Sequence, residues 1–258
     1  LDLIERYARA FISVSKSLKE RGTEVVWAVV PYKTAIHSEK LPDDFRMPPV
    51  LWPAIEQQLK DAGIAVFPME AAIRKQPYPQ YSRGDSHWTY ATAQGVWKEL
   101  AEWLRQRDLP VMGPTASGSV TIQDGGRPRR GDLAPLLGFR PDGSLDARFA
   151  ERQSFPIVKV ESADSQRMHG LTLYLGTSYS MHFRAADSLS VHLGARVEDG
   201  AKGAAHPQDL MGTFLRELAD GKRPPPKVLI FEFPERYFEL LRHQFITGFE
   251  QFAADFSV

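Results

Sequence analysis

The sequence predicts an α/β domain whose helices cover a mostly parallel central sheet, and three observations predict it. Glu24 to Val30 reads EVVWAVV, an unbroken β-branched and aromatic run of the kind found in strands buried on both faces. The first third alternates helical and extended periods in the order α-β-α-β, which needs parallel strands joined by crossover helices. A further apolar run, LTLYL at 171–175, leads directly into Gly176-Thr177-Ser178. The end of such a strand is where open α/β sheets hold their ligands.

The elements follow in order. Residues 2–21 form an amphipathic helix with Ile4, Tyr7, Phe11, Val14 and Leu18 on one face and Gly22 as its stop. After the 24–30 strand and Pro31-Tyr32-Lys33, a helix over 51–62 presents Leu51, Ile55 and Leu59 and closes at Gly63, ahead of a short strand at 64–67. A longer helix over 89–107 buries Val96, Leu100, Trp103 and Leu104. From 113 to 143 the composition shifts to Gly, Pro and Arg, an irregular excursion with a short hairpin at 119–123. Within it Leu133, Leu136, Leu137 and Phe139 still require burial. The whole of 1–258 is expected to be one domain, with 113–150 as an irregular insertion. Strands at 155–160 and 171–175, a polar glycine-containing region to 205, a helix over 207–219 and a strand at 228–233 complete the pattern. A last helix is expected to start near Pro234 and to carry Tyr237, Leu240, Leu241 and Phe245.

Bulk properties exclude several classes. Lys+Arg and Asp+Glu are 32 each, so the basic field of a nucleic-acid binder is missing. No apolar run reaches the roughly 18 residues of a membrane span, and no signal peptide is visible. Position 1 is Leu rather than Met, so a preceding targeting segment is expected to have been removed. The chain has no cysteine, which removes thiolate nucleophiles, disulfides and thiolate metal sites. It also has no asparagine, hence no asparagine oxyanion donor. The histidines show no metal-ligand spacing and no phosphate-cradling glycine loop occurs, so neither a metal nor a nucleotide cofactor is expected.

The chemistry is expected at Asp85-Ser86-His87-Trp88. An acid two residues before a histidine in an extended segment lies on the same side of the chain. There it can hold one imidazole nitrogen while the other faces a substrate, fixing the tautomer and stabilising the imidazolium. Ser178, presented after a strand and a glycine, supplies a nucleophile, and the alternative is that Thr177 and Ser178 simply cap the next helix. Together Ser178, His87 and Asp85 form a Ser-His-Asp set, for which geometry rather than chain order matters.

These two motifs, with Val29-Val30-Pro31-Tyr32-Lys33 and Phe231-Glu232-Phe233-Pro234-Glu235-Arg236, resemble the SGNH-hydrolase-like domain of the alginate O-acetyltransferases of the AlgJ/AlgX type. The resemblance spans most of the chain and implies a three-layer fold with a circularly permuted motif order, the Asp-His pair preceding the serine. It implies a periplasmic enzyme, anchored through an N-terminal segment, that acetylates an exported polysaccharide such as alginate. Ser178 would then be the nucleophile, His87 the base and Asp85 its partner, with acetyl passed on by a membrane-bound acyltransferase. The chain ends at Val258 without length for a carbohydrate-binding module, which points to the AlgJ-like branch. The absence of asparagine departs from ordinary SGNH hydrolases, so backbone N–H groups near Ser178 and Tyr179, or another side chain, must stabilise the oxyanion. An acetylesterase using the same triad, and a non-catalytic polysaccharide-binding scaffold, are the competing functions.

Substrate contacts are expected from Tyr179, from Tyr32 and Lys33 at the end of the first strand, from Arg83, and from Trp88 stacking on a sugar. A plain core position is the alternative for Trp88, and a solvated loop position for Lys33. Glu232 and Arg236 are expected to form a structural ion pair, and the Arg-Gly-Asp tripeptides at 83–85 and 130–132 are read as coincidence.

Overall fold

A computed structural model describes residues 3–45, 50–77, 79–111, 113–123, 128–129, 131–133, 151–152, 155–162, 172–203, 205–240 and 242–256. The chain opens with α1 (Leu3–Glu20), and Gly22, in the left-handed region at φ 85°, turns it into β1 (Glu24–Val30). Then come α2 (Lys33–Ile36), α3 (Trp52–Asp61), β2 (Ala65–Val66), α4 (Met69–Arg74) and α5 (Tyr90–Gln106). The middle contributes β3 (Ala116–Gln123), β4 (Pro128–Arg129), β5 (Glu151–Arg152) and β6 (Phe155–Ser162). The last third holds β7 (Thr172–Leu175), α6 (Ser178–Met181), α7 (Ala185–Leu193), β8 (Val197–Asp199), α8 (Pro207–Ala219), β9 (Val228–Pro234), α9 (Tyr237–Leu240) and α10 (Arg242–Phe256).

Among the described residues the central sheet has five strands in the order β2-β1-β9-β7-β8, and every pairing is parallel. Alternation along the strands divides the core into two layers. Val25, Trp27 and Val29 of β1, with Phe231 and Phe233 of β9, face α1, α3, α8 and α10. Val26, Ala28 and Val30, with Tyr174 and Ile230, face α4, α5 and α7. Buried on both faces, β1 and β9 need the near-continuous apolar runs seen in the sequence. The first layer is rich in rings: Phe11 stacks on Trp27 at 4.3 Å, and the Trp27 indole N–H donates to Ser15 Oγ at 2.9 Å, which satisfies its one polar atom.

Three expectations are corrected. Residues 119–123 are not a hairpin; they belong to β3, which pairs antiparallel with β6 in a separate ribbon. Local sequence cannot reveal a partner strand so far along the chain. The polar region before 205 contains α7 and the edge strand β8. Ser190 is buried there because the fold satisfies its hydroxyl: Ser190 Oγ donates to the Ala186 carbonyl at 2.7 Å and accepts from the Val197 N–H at 2.9 Å. Pro234 ends β9 rather than starting a helix; helical residues follow as α9 and α10, and Leu241 lies outside the described residues. Helix α4, six residues long, was too short to show a periodicity. Of the apolar residues expected to be buried in the excursion, Leu133 is half-buried, and Leu136, Leu137 and Phe139 lie outside the described residues.

Candidate active site

The site forms where β1, β7 and β9 end. After β7, Gly176 and Thr177 turn the chain so that Ser178 becomes the first residue of α6. Thr177 is the N-cap, its Oγ1 facing the Tyr179 N–H at 3.5 Å. The capping role considered for this stretch therefore falls to Thr177, and the hydroxyl of Ser178 points elsewhere.

It points at the loop before α5. That loop is held at its base by a bridge between Tyr81 and Trp88 and by the Thr89 N–H donating to the Gln80 carbonyl at 2.9 Å. Asp85 and His87 do not lie in an extended segment as expected. Asp85 Oδ1 accepts from the backbone N–H of His87 at 3.0 Å, a local turn that folds the acid back over its own chain. The same oxygen lies 2.6 Å from His87 Nδ1, and His87 Nε2 lies 2.8 Å from Ser178 Oγ. The carboxylate thus fixes a tautomer with the proton on Nδ1, leaving Nε2 to accept from the serine. Burial would raise the Asp85 carboxyl, but the ring and backbone N–H groups of His87 outweigh it and hold it down at about 2. The imidazole is wedged against the rings of Tyr179, at 4.4 Å, and Phe183, at 6.2 Å. A hydroxyl, a base and an anionic support in line can generate an alkoxide-like nucleophile and return its proton later.

Three further residues brace this line. Asp132, from the Arg-Gly-Asp read as coincidence, takes the Ser86 N–H on Oδ1 at 2.6 Å and lies 3.6 Å from His87 Nδ1. Arg236 donates to Ser86 Oγ at 2.8 Å, and its guanidinium lies 5.3 Å over the Tyr179 ring. Glu232 turns away from Arg236 and receives the Thr177 N–H at 3.1 Å. The expected Glu232–Arg236 ion pair is therefore replaced by two separate contacts, because their side chains leave β9 and the turn after it towards different loops. Chain distance hid Asp132, and only the Gly131 before it hinted at a turn.

The other expected contacts divide. Tyr32, Lys33, Ser86, Tyr179 and Arg236 line a cleft of about 180 Å³. It shares Lys33, Thr34 and Leu133 with a groove of about 650 Å³ that also presents His37, Lys40 and the exposed Arg83. Lys33 does not point its charge at solvent alone: Nζ donates to the carbonyls of Ser82, Arg83 and Asp85 at 2.5, 2.9 and 2.9 Å. Tyr179 is buried, its hydroxyl donating to the Ser86 carbonyl at 2.6 Å, and burial raises its phenol. Trp88 is 0% exposed, with its indole N–H on the Tyr179 carbonyl, so no sugar can stack on it. The bland core placement holds for that residue. Asp85, His87 and Asp132 bring one ligand atom each within 4.8 Å, among the described residues. Their donors are already engaged with one another and with Ser86.

Residues 2–235 match the model of a family described as the SGNH hydrolase-like domain of acetyltransferase AlgX. Among its relatives, the chain is 29% identical over 243 residues to the probable alginate O-acetylase AlgJ of Pseudomonas syringae pv. tomato, covering 87% of this chain and 60% of the relative. The corresponding protein of Azotobacter vinelandii is also 29% identical, over 246 residues, with 60% of it covered. The chain thus spans about three-fifths of these relatives' length. Of solved structures, the O-acetyltransferase domain of Pseudomonas putida AlgJ superposes with a TM-score of 0.74 at 23% identity, over 96% of this chain and 90% of that one. At that identity the likeness shows a shared fold.

Proposed function

Because the chain belongs to the family of SGNH hydrolase-like domains of the AlgX acetyltransferase type, we propose that it is a polysaccharide O-acetyltransferase working through an acetyl-serine enzyme. The observation that carries this reading is the line Asp85–His87–Ser178, with contacts of 2.6 and 2.8 Å. His87 Nε2 takes the proton of Ser178 as Oγ adds to the acetyl carbonyl of the donor, and returns it to the departing group. A sugar hydroxyl then gives its proton to His87 and adds to the acetyl-serine. Collapse transfers acetyl to the sugar, and Ser178 recovers the proton.

The names of the relatives support an exported polysaccharide such as alginate as acceptor. The groove bearing Lys40 and Arg83 suits a polyanion of that kind. Chemistry on an exported polymer favours a periplasmic site of action, with acetyl supplied by a membrane-bound acyltransferase. Among the described residues no helix is long and apolar enough to cross a membrane. We read 1–258 as one catalytic domain, with Tyr32, Arg83 and Tyr179 bordering or shaping the acceptor path.

The test is acetyl release from a chromogenic acetyl ester, with and without an alginate oligosaccharide, in the parent protein and in Ser178→Ala, His87→Ala and Asp85→Ala. The expected result is loss of turnover in all three folded variants and mass-detected acetyl-oligosaccharide from the parent. Acetate alone as product would mark an acetylesterase. Polymer acetylation undiminished in Ser178→Ala would mark a scaffold.

A further inference from the structure

β9 places a buried carboxyl directly beneath the nucleophile turn, and the proton-transfer chain does not use it. Glu232 is 0% exposed. Its Oε2 accepts the Thr177 N–H at 3.1 Å and the Ser180 hydroxyl, and its Oε1 accepts the Thr177 hydroxyl at 3.1 Å. Thr177 Oγ1 in turn faces the Tyr179 N–H, and the Tyr174 hydroxyl meets Ser180 Oγ at 2.9 Å. The residues on both sides of Ser178 therefore hang from one carboxylate. The fit leaves no slack: a Cβ added at Gly176 would stand 2.7 Å from both Glu232 Oε2 and Ser180 Oγ.

This arrangement is poor value for folding alone. Ionising a fully buried carboxyl is costly, and a shape-matched apolar side chain is often neutral or stabilising by comparison. What three donors on one carboxylate do give is a fixed backbone path through 176–180. The catalytic line needs that, since a misplacement of about 1 Å in a reacting group can cost about 10²-fold.

We propose that Glu232 is the positioning residue of the nucleophile turn, holding Thr177 and Ser180 so that Ser178 Oγ stays on His87 Nε2. The inference rests on the acyl-transfer reading of the site. Burial pushes the Glu232 carboxyl up to about 7. The groups that act on it or feel its charge are the His87 imidazole and the phenols of Tyr174, Tyr179 and Tyr237, all three raised by burial. His87 is the partner among them whose charge changes during the reaction. Both Glu232 and His87 must then be unprotonated for full reactivity.

The experiment measures the rate at which phenylmethylsulfonyl fluoride modifies Ser178, mapped by adduct mass, against pH. It uses the parent, Glu232→Gln, Glu232→Leu and Thr177→Val, each checked for folding by its melting temperature, with crystal structures of the parent and the folded variants. Glu232→Leu is expected to label about 100-fold more slowly, with Ser178 Oγ moved out of hydrogen-bonding reach of His87 Nε2. Glu232→Gln, which keeps one acceptor, should recover to within about tenfold of the parent. On the acid limb, the parent should lose up to about tenfold more of its rate than Glu232→Gln, because protonation of Glu232 removes the carboxylate only in the parent. If Glu232→Leu does not fold, Thr177→Val, which cuts one arm of the relay, decides by the same rate and geometry. A folded variant that labels at the parental rate with the Ser178–His87 contact unchanged overturns the proposal. If the parent itself is not labelled, the acyl-transfer reading fails, and the crystallographic comparison alone decides whether Glu232 holds the turn.

Discussion

Asp132 grips Ser86 by both of its donors, Oδ1 taking the backbone N–H at 2.6 Å and Oδ2 the hydroxyl at 2.5 Å. Ser86 stands between the acid and the base, so this contact fixes the chain that joins them. The segment carrying Asp132 is itself seated tightly. The Leu133 N–H donates to the Gly84 carbonyl at 3.1 Å, and a Cβ on Gly131 would collide with that carbonyl. Asp132→Ala should lower kcat for acetyl-ester turnover about tenfold with KM little changed. Asp132→Asn keeps an acceptor for the Ser86 N–H and loses only a partly exposed charge near the imidazole, so about threefold is expected. Steady-state kinetics of the two variants separate the brace from the charge.

Lys33 ties the end of β1 to the loop carrying the acid. Its three carbonyl partners at Ser82, Arg83 and Asp85 would lose a shared cation in Lys33→Met. Hydrogen bonds to a charged group contribute about 1.5–3 kcal/mol, so a stability loss on the order of 2 kcal/mol is expected. A fall in kcat should accompany it, as Asp85 gains freedom. Urea unfolding and turnover measured on one preparation test both. An unchanged unfolding midpoint with a raised KM for oligosaccharide would instead place Lys33 on the acceptor.

Gly176→Ala should be more damaging than its size suggests. The added methyl meets Glu232 Oε2 and Ser180 Oγ at 2.7 Å. Overpacking of this kind typically costs about 1–3 kcal/mol, and here the strain falls on the nucleophile turn. A melting temperature several degrees lower is expected, with turnover reduced by about 10²-fold.

Stability should decline as pH rises through the neutral range. Burial lifts Glu232 and Glu235 from 4.5 to about 7, so the folded state binds more protons than the unfolded state between those values. Stability is then highest near the lower value, falls as pH rises towards 7, and is flat for these groups above it. Each carboxyl corresponds to on the order of 3 kcal/mol across that window. Asp85, held at about 2, acts in the opposite sense and lower down: its contribution is present above its ordinary value and is lost as pH falls through about 2. Chemical unfolding at pH 5 and pH 8 should show a smaller difference in Glu232→Gln than in the parent. Equal differences would show that Glu232 keeps an ordinary carboxyl in the folded protein.

Much of the fold was legible because buried parallel strands leave a strong local trace. EVVWAVV and VLIFEFP can hardly be anything but central strands, and they occupy the middle of the sheet. Elements whose stability comes from their neighbours left a weaker trace. Helix α7 buries Ser188 and Ser190, whose hydroxyls look like loop residues until a helix satisfies one of them. Ribbon strand β3 is mostly exposed, so it has no apolar alternation to read.

The sequence by itself determined the residue types of the chemistry: an acid, a histidine and a serine after a strand, with cysteine and asparagine excluded. It also determined the layered α/β plan, through periods that each strand and helix carries in its own residues. Only the tertiary structure decided which side chains serve the site. Trp88 went to the core, Lys33 to three loop carbonyls, Asp132 to Ser86, and Glu232 to the turn beneath Ser178. The reason is physical: a hydrogen bond or ion pair depends on approach to about 3 Å. Such approaches between residues 46 and 55 positions apart, as in Ser86–Asp132 and Thr177–Glu232, are set by how the loops dock and not by any local pattern.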